Sequence, residues 1–405
     1  MYKRNFLAEL GVTRGEFLTT LLVVVNAFTW YLVAFQVLVH TLDTIGLTPY
    51  EITVIWTVHF SAIACAALVG ATLPNKLISR DKFLSLWMFL GVVSSLVPMI
   101  IGACFTCWAV ISFLWAVAFG LGMPSCMGYY ADFTVIENRG RLGALIFFAI
   151  NIGLFLLGTI LMPLASLAEQ LIVLTIWRGL GLASFLVLKP TKGHAKVRKK
   201  PSYMSILRRK PLLLYLIPWI MFSLVNSMTR PLFPADIAEM TTLITFAIAG
   251  LSTLVGGLLS DLIGRKPMVI FGFLILGVGY AVLGMFPGGI AYYVYAVVDG
   301  VAWGMLGVVF LMVVWGDFSE NMPSEKYYAI GGLPYLLSIF LEILIAPYIK
   351  ELIPPSATFS FASLFLFLAI MPLLYAPETL PEKKIREREF KKYIEKAKKI
   401  KEKYD

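Results

Sequence analysis

A short charged segment interrupts the apolar sequence of the second half of the chain. It reads Gly257-Leu-Leu-Ser-Asp261-Leu-Ile-Gly264-Arg265-Lys266. Its aspartate and basic residues are suited to ion pairing, because carboxylate and guanidinium groups form strong hydrogen-bonded pairs. A simpler interpretation is that Gly264 permits a tight turn and that the charges only anchor this turn at a surface.

Asp299 is the only charged residue between Lys266 and Asp317. A carboxylate within a long apolar segment is costly and is therefore a functional candidate by default. Asp299, one turn before Trp303, is a candidate for binding a solute or a proton, and the alternative is a static pair with a neighbouring helix. Glu342 lies in another apolar stretch, where a second protonation site and an interhelix hydrogen bond are both consistent with the sequence.

Asparagine and tryptophan side chains lie near the middle of several apolar stretches. An amide provides directional hydrogen bonds and an indole provides a flat face, and a polar solute with hydroxyl groups needs both. Amides also hold apolar helices together, so a structural role stays open for each of them. The candidates for solute contact are Asn26, Trp30, Asn151, Asn226, Trp303 and Asp299.

Residue patterns typical of metal binding or covalent catalysis are missing from the sequence. The three histidines have no cysteine or acid at metal-ligand spacing, and we expect His59 to be a hydrogen-bonded structural residue. Neither a phosphate-binding glycine loop nor a nucleophile elbow is found. Cys104 and Cys107 form a CxxC pattern with no other sign of thiol chemistry. We therefore expect no catalytic residues, no metal site, no cofactor and no enzymatic activity.

The composition places these residues in a membrane protein. Of the 405 residues, 59% are apolar and 14% are charged, whereas a soluble domain has about a quarter charged residues. Residues 83–131 contain no Asp, Glu, Lys or Arg. The roughly 240 apolar residues match about twelve helices of about 20 residues, the length that crosses a bilayer. A soluble enzyme, a secreted disulfide-rich domain and a disordered chain are excluded.

Twelve apolar windows predict an all-α polytopic membrane protein. With both termini in the cytoplasm, all of the 34 Lys and Arg residues except Arg178, Arg230 and Lys350 fall on the cytoplasmic side, as the positive-inside rule requires. We expect a multi-pass protein of the cytoplasmic (plasma) membrane. The net charge of +10 follows from this topology and attracts anionic lipid head groups; it does not indicate nucleic-acid binding. The windows are 17–40, 50–73, 83–104, 107–131, 142–165, 168–188, 211–233, 237–260, 267–286, 289–315, 327–349 and 356–376.

An internal repeat divides the chain into two halves. A shift of 185 residues superposes loops of the first half on loops of the second, which indicates two pseudo-symmetric six-helix bundles related about the membrane normal. The predicted units are an N-terminal bundle (1–188), a basic cytoplasmic linker (189–210), a C-terminal bundle (211–377) and a charged cytoplasmic tail helix (378–405). The aligned pairs are Arg80 with Arg265, Asp132 with Asp317 and Arg141 with Lys326.

The segment Gly257–Lys266 resembles the signature loop of the major facilitator superfamily, Gly-x-x-x-Asp-x-x-Gly-Arg-Lys/Arg. Tyr130-Ala-Asp132 with Arg139-Gly140-Arg141 and Pro377-Glu378-Thr379 are similar to motifs of its sugar-porter branch. The resemblance covers the whole chain at the level of topology. Two patterns differ: the arginine often found in span four before Gly120-Leu-Gly122 is missing, and span five lacks the glycine-proline pattern of exporting antiporters.

This resemblance implies a secondary transporter of the major facilitator fold, in which spans one, four, seven and ten line a central cavity. It implies alternating access and, with Asp299 and Glu342 as candidates, proton-coupled uptake of a sugar or an organic acid. The expected partners are this small-molecule substrate, protons and anionic lipid, and we expect a monomer. The alternatives are an exporter of amphipathic drugs and a non-transporting sensor with the same fold.

The resemblance also implies a cytoplasmic latch, a set of charge pairs that form when the cytoplasmic side is closed and break when it opens. Asp261 would lie near the amino terminus of a neighbouring helix, where a negative charge is favoured. Arg265 and Lys266 would pair with acids such as Asp317. In the first half Asp132, Arg139 and Arg141 would form the counterpart, with Arg80 as their partner. The predicted latch residues are Gly257, Asp261, Gly264, Arg265, Lys266, Asp317, Arg80, Asp132, Arg139 and Arg141.

Overall fold

The part of the chain that the computed structural model describes contains twelve long apolar helices, which we label α1–α12. Its described residues are 10–74, 78–101, 104–164, 166–188, 201–319, 322–381, 390 and 394, without the side chains of 235, 236 and 346–352. The first six spans are α1 (Arg14–Thr44), α2 (Pro49–Gly70), α3 (Arg80–Leu96), α4 (Phe105–Gly120 and Met123–Phe133), α5 (Arg139–Leu161) and α6 (Leu167–Leu188).

The second six spans repeat this arrangement after a short helix, Tyr203–Leu207. All twelve spans are long and apolar enough to cross a membrane, so the predicted number of spans and the all-helical fold class are confirmed. The second six are α7 (Lys210–Thr229), α8 (Ala235–Ile263), α9 (Arg265–Met285), α10 (Gly289–Gly307, Val308–Val313 and Val314–Phe318), α11 (Glu325–Leu352) and α12 (Pro355–Tyr375).

Helix starts follow local sequence signals. In front of α1 the Thr13 hydroxyl accepts a hydrogen bond from the Glu16 amide at 3.3 Å, and the Glu16 carboxylate accepts one from the Thr13 amide at 2.9 Å. Thr48 and Glu51 form the same capping box in front of α2. These reciprocal bonds satisfy amides that the first helical turn leaves without partners.

The helices pack as two groups of six. In the first half α1 packs on α5 and α6, α2 on α4, and α3 on α6; in the second half α8 packs on α10, α9 on α12, and α7 on α11 and α12. The largest contacts between the halves join α5 to α8 and α10, and α11 to α2 and α4. Each half is thus a bundle, and these six helices carry most of the interface between bundles.

Equivalent helices of the two bundles are irregular at equivalent places. Span α4 is interrupted between Gly120 and Met123, and α10 changes to a π-helix at Val308. Met123 and Val308 are related by the 185-residue shift. A π-helical turn inside a long helix is frequent at functional sites. In α10 it separates Trp303, in the middle of the protein, from Asp317 at the helix end.

Two predicted units fall largely outside the described residues. Most of the basic linker (189–210) and most of the tail (378–405) belong to this part of the chain, and so does Lys76 of the loop after α2. The boundaries of the predicted units stay predictions. We refer to the end of the bundles that carries Arg80, Arg139, Arg141, Arg265 and Lys266 as the basic face.

Candidate functional site

Asp261 caps a helix of the opposite bundle. Its Oδ1 and Oδ2 atoms accept hydrogen bonds from the backbone amides of Gly140 and Arg141, each at 2.9 Å. These amides belong to the first turn of α5, where they have no partner within the helix. The Asp261 side chain is fully buried, and Arg265 Nη1 lies 3.0 Å from its Oδ1. The carboxylate of one bundle is therefore held by backbone donors of the other.

Two glycines allow this close approach of α5 and α8. A Cβ atom on Gly140 would lie 2.6 Å from the Gly257 carbonyl oxygen, and one on Gly257 would lie 2.4 Å from the Gly140 carbonyl oxygen. Gly264 has a different task, because its φ of 110° is a left-handed conformation that L side chains rarely adopt. Gly257 therefore sets the distance between bundles, and Gly264 forms the turn after α8.

Asp317, at the end of α10, lies between two buried arginines. Its Oδ1 accepts from Arg139 Nη1 at 2.6 Å, and its Oδ2 accepts from Arg265 Nε at 3.2 Å and from the Thr379 hydroxyl at 3.1 Å. Arg139 is 5% exposed and Arg265 is fully buried. Arg139 belongs to the N-terminal bundle, whereas Asp317 and Arg265 belong to the C-terminal one. Asp317 thus joins the repeat-related loops of both bundles.

Arg80 holds a similar set of ion pairs at the basic face of the first bundle. It pairs with Asp132 at the end of α4, just as its repeat equivalent Arg265 pairs with Asp317. Its Nη2 also donates to Glu325 Oε1 of α11 at 2.7 Å, which crosses the bundle interface. The sequence prediction missed Glu325, although its position directly before Lys326, in an aligned loop, was a usable signal.

The ammonium group of Lys266 binds a different partner from the acid that the sequence predicted. Its Nζ donates to the Leu374 carbonyl oxygen at 2.8 Å, within its own bundle, and this ammonium does not reach Asp317. The acid next to it is Glu378, whose carboxylate accepts from the backbone amides of Arg265 at 2.8 Å and Lys266 at 3.0 Å. Glu378 therefore caps α9. Sequence comparison singled out Pro377-Glu378-Thr379 but assigned it no role.

In the middle of the C-terminal bundle the structure brings Asn226 and Trp303 together. The indole Nε1 of Trp303 donates to Asn226 Oδ1 at 3.2 Å. The Trp303 ring also packs against Phe222, with centroids 4.8 Å apart, and against Tyr335, with centroids 5.8 Å apart. Two of the predicted solute contacts thus form one polar and aromatic group on α7 and α10.

Asn26 and Trp30, two of the predicted solute contacts, bind side chains and backbone groups inside their own bundle. Asn26 donates to the Trp177 carbonyl oxygen at 2.6 Å and accepts from Arg178 Nη1 at 2.9 Å. Trp30 is fully buried, donates to Ser95 Oγ at 2.8 Å and contacts the Arg178 guanidinium through its ring face. This face of α1 packs on α3 and α6, so both residues hold the bundle together.

Asn151 lies on α5, which packs on the opposite bundle, and Asp299 lies on α10, in the core of the C-terminal bundle. Asn151 donates to the carbonyl oxygen of Phe147, one turn earlier in α5, at 2.8 Å, and the Phe147 ring approaches Gly307 of the opposite bundle. Asp299 is 9% exposed, and its Oδ1 is buried without a hydrogen-bond partner among the described residues. An unpartnered buried carboxylate oxygen is costly.

Glu342 lies near Arg230, the exposed arginine at the end of α7. Arg230 Nη1 and Glu342 Oε1 are 3.6 Å apart, and Arg230 also approaches the hydroxyl of Tyr335. This pair joins α7 to α11 within the C-terminal bundle. It matches the interhelix alternative for Glu342, while a role in proton coupling stays a prediction.

Tyr31 and His59 form a polar group in the N-terminal bundle that the sequence prediction did not assign to the site. The Tyr31 hydroxyl and His59 Nε2 are 3.0 Å apart. Nearby Phe60 packs on Phe340 across the interface with centroids 5.5 Å apart. A lone histidine in an apolar span was the available signal.

Comparison with known proteins agrees with this architecture. One similar structure is described as the proton:xylose symporter XylE bound to 6-bromo-6-deoxy-D-glucose, with a TM-score of 0.68, 15% identity, and coverage of 90% of this chain and 96% of that chain. Another is the transporter FucP in the outward conformation, with a TM-score of 0.70, 12% identity, and coverage of 89% and 99%.

Identities this low establish the fold alone, and none of the curated protein sequences matches the chain. The sequence model of the Major Facilitator Superfamily, however, matches residues 19–314, which is well over half of the chain. Twelve apolar helices in two bundles and the charged loops at the basic face agree with that match. The protein therefore belongs to the Major Facilitator Superfamily and is a multi-pass membrane protein.

Proposed function

We propose that this protein is a secondary active transporter that takes up a small polar solute, a sugar or an organic acid, together with protons. The basic face would be cytoplasmic, as the positive-inside rule predicts, and the membrane would be the plasma membrane. The observation that carries the proposal is the set of polar contacts that joins the two bundles at this face. We call these contacts, centred on Arg80, Asp261 and Asp317, the cytoplasmic latch.

The latch suits alternating access because its contacts can be exchanged for water. Asp261 binds backbone amides of α5, and Arg139 and Arg80 bind carboxylates of the opposite bundle. When the bundles separate on this side, each of these groups can be hydrated, which limits the cost of opening. The rocking of two bundles about a central site needs such a reversible closure.

Asp261→Asn is expected to slow transport while leaving the protein folded. An amide NH2 would face one of the two backbone donors of α5, and the negative charge beside Arg265 would be lost. We expect the closed state to be destabilised by about 1–3 kcal/mol, which corresponds to a loss of transport rate of about five- to 150-fold. Flux into proteoliposomes measures the rate, and thermal unfolding verifies the fold. An unchanged rate would contradict the latch.

The central residues support a polar solute. Asn226 and Trp303 present an amide and an indole at the same place, and Tyr335 adds a hydroxyl. Sugar sites in proteins combine such hydrogen-bonding groups with flat apolar faces because a sugar ring has both kinds of surface. The similar structure of XylE is described as that of a proton:xylose symporter, which agrees with a sugar as the solute.

Asp299→Asn is expected to abolish uptake that is driven by a proton gradient. The buried, unpartnered Oδ1 of Asp299 is a place where a proton removes the cost of an unpaired charge, whereas an amide cannot take up and release a proton at this position. Counterflow exchange of the solute, which needs no net proton movement, should remain. Accumulation in proteoliposomes with and without an inward proton gradient measures the difference.

Asp43→Asn is the matched control, because Asp43 is an exposed aspartate at the end of α1. We expect its uptake to equal that of the wild type. Intact gradient-driven uptake in Asp299→Asn would show that Asp299 is not the coupling group. Solute exchange without any response to a proton gradient in the wild type would contradict coupling itself but not transport.

An exporter of amphipathic compounds is the second candidate, favoured by the aromatic rings around the centre. Phe222, Trp303 and Tyr335 on one side and Tyr31 and Phe119 on the other form ring contacts. Rings of this kind bind apolar compounds as well as sugar faces. The sensitivity of a deletion strain to a panel of drugs distinguishes the two, because only an exporter changes it.

A further inference from the structure

Cys104 and Cys107 lie at the end of the N-terminal bundle opposite the basic face. Span α3 begins at Arg80 on the basic face, and α4, which starts at Phe105, returns to that face at Asp132. The two sulfur atoms are joined in a disulfide. Cys104 is exposed and Cys107 is partly exposed. The disulfide is therefore accessible to small molecules on one side of the membrane, and neither the latch nor the central residues use it.

The start of α4 provides the setting that activates thiols in CxxC sequences. Cys104 is the N-cap: its backbone is extended, and its carbonyl oxygen accepts from the Trp108 amide at 3.0 Å. Its Sγ accepts from the Cys107 amide at 3.2 Å, as the hydroxyl of a capping serine does. That amide and the positive end of the helix dipole stabilise a negative charge at this position. A thiolate of Cys104 would therefore be more stable than that of an ordinary exposed cysteine.

Packing keeps this helix start in place when the disulfide is open. Trp108 is 3% exposed, and Phe105 packs on the core of the bundle. Both are among the first four residues of α4, so the amide that binds the Cys104 sulfur does not depend on the S–S bond for its position. Reduction then leaves Cys104 as an activated thiol at a formed helix start, where it can be oxidised again.

We propose that Cys104 and Cys107 form a thiol–disulfide exchange site for small-molecule thiols, with Cys104 as the reacting sulfur. A thiolate of the small molecule attacks the exposed Sγ of Cys104; the S–S bond breaks, and its electron pair passes to Cys107, which takes up a proton. A second thiolate attacks the small-molecule sulfur of this mixed disulfide and releases Cys104. Two thiols are thus oxidised to one disulfide, and the protein gains two electrons and two protons.

Glutathione tests the exchange on purified protein in detergent. Cys65→Ala removes the other exposed thiol and leaves Cys126, which is fully buried, as the only further cysteine. Labelling with maleimide-polyethylene glycol after denaturation counts the free thiols. We expect one free thiol after equilibration with oxidised glutathione and three after equilibration with millimolar reduced glutathione at neutral pH. A disulfide with a purely structural role resists the glutathione pool.

Two single variants in this background test the assignment of Cys104. Cys107→Ser leaves Cys104 at the N-cap without a thiol that could displace a bound glutathione, so oxidised glutathione should form a stable adduct there. Cys104→Ser is the matched control, because serine keeps the cap and Cys107 remains as a less exposed thiol within the helix. We expect adduct formation to be about tenfold faster or more in Cys107→Ser, as measured by intact-protein mass spectrometry.

The thiol counts and the adduct rates decide separate parts of the proposal. One free thiol after reduced glutathione, with three only after excess dithiothreitol, overturns it, because the disulfide is then structural. Three free thiols after oxidised glutathione overturn it as well, because no disulfide then forms. Equal adduct rates in the two single variants overturn the role of Cys104. None of these measurements involves solute flux, so their outcome leaves the proposed transport function untouched.

Discussion

Asp317→Asn is expected to shift the protein strongly towards a state in which the two bundles are separated at the basic face. Asp317 is the common partner of Arg139 and Arg265, and both guanidinium groups are buried. Removing one member of a buried ion pair costs about 3–5 kcal/mol because the other charge is left uncompensated. Opening hydrates Arg139, so the variant should favour opening by a factor of about a hundred or more.

Distances between spin labels at Val135 and Ile263 measure this shift. Both positions are exposed, and they lie at the basic face on opposite bundles; Cys65 would first be replaced by alanine because it is an exposed free thiol. We expect a long distance to dominate in Asp317→Asn and a short distance in the wild type. Gradient-driven uptake should fall at least tenfold, because the closed state is then rarely visited.

Asp132→Asn is the matched control, because the 185-residue shift relates Asp132 to Asp317. The Asp132 side chain is 34% exposed, and its ion-pair partner is Arg80, which keeps Glu325. An ion pair with this exposure is worth about 1 kcal/mol or less, so the distance distribution should stay close to that of the wild type. If both variants matched the wild type, the central place of Asp317 in the latch would be refuted.

Gly70→Ala is expected to have the largest effect on stability. A Cβ atom at Gly70 would lie 1.8 Å from the Leu121 carbonyl oxygen and 2.7 Å from its carbonyl carbon. The obstacle is backbone, so no rotamer change relieves it, and α2 and α4 must move apart. Overpacking commonly costs about 1–3 kcal/mol, and we expect the upper end of this range or more. Thermal unfolding followed by size-exclusion chromatography measures the loss.

Gly158→Ala serves as the comparison. Gly158 is an exposed helical glycine of α5, and a Cβ atom there would meet nothing within 4 Å. Because alanine is a better helix former, this substitution should be neutral or stabilising by up to about 1 kcal/mol. A melting temperature of Gly70→Ala equal to that of Gly158→Ala would disprove the close packing of α2 on α4.

The charged loops show how far sequence reasoning reaches. Charges are rare in this chain and expensive within apolar segments, so their positions and the 185-residue repeat indicate which loops matter. The same features do not indicate which groups these charges bind. Asp261 binds backbone amides, Arg80 binds Glu325, and Lys266 binds a carbonyl oxygen. A sequence does not show which backbone groups are available as partners, and partners more than a hundred residues apart meet only after folding.

The central residues show where sequence reasoning stops. Asn26 and Trp30 are predicted solute contacts, and the structure turns them towards α6 and α3, while Tyr31, the next residue, turns towards His59 of α2 and Phe119 of α4. One residue is a rotation of about 100° around a helix. In a soluble protein the apolar face of a helix indicates its orientation, but here lipid, bundle core and much of the centre are all apolar.

The sequence by itself determined that the protein spans a membrane twelve times, that its two halves repeat, and which loops carry charges. These properties follow from hydropathy, charge and spacing, which are local. Only the tertiary structure decided which face of each helix meets the centre, that Asp317 joins two buried arginines, and that Asp261 binds backbone amides of the other bundle. Those properties depend on the rotation and contact of helices, and an apolar environment leaves both unmarked in the sequence.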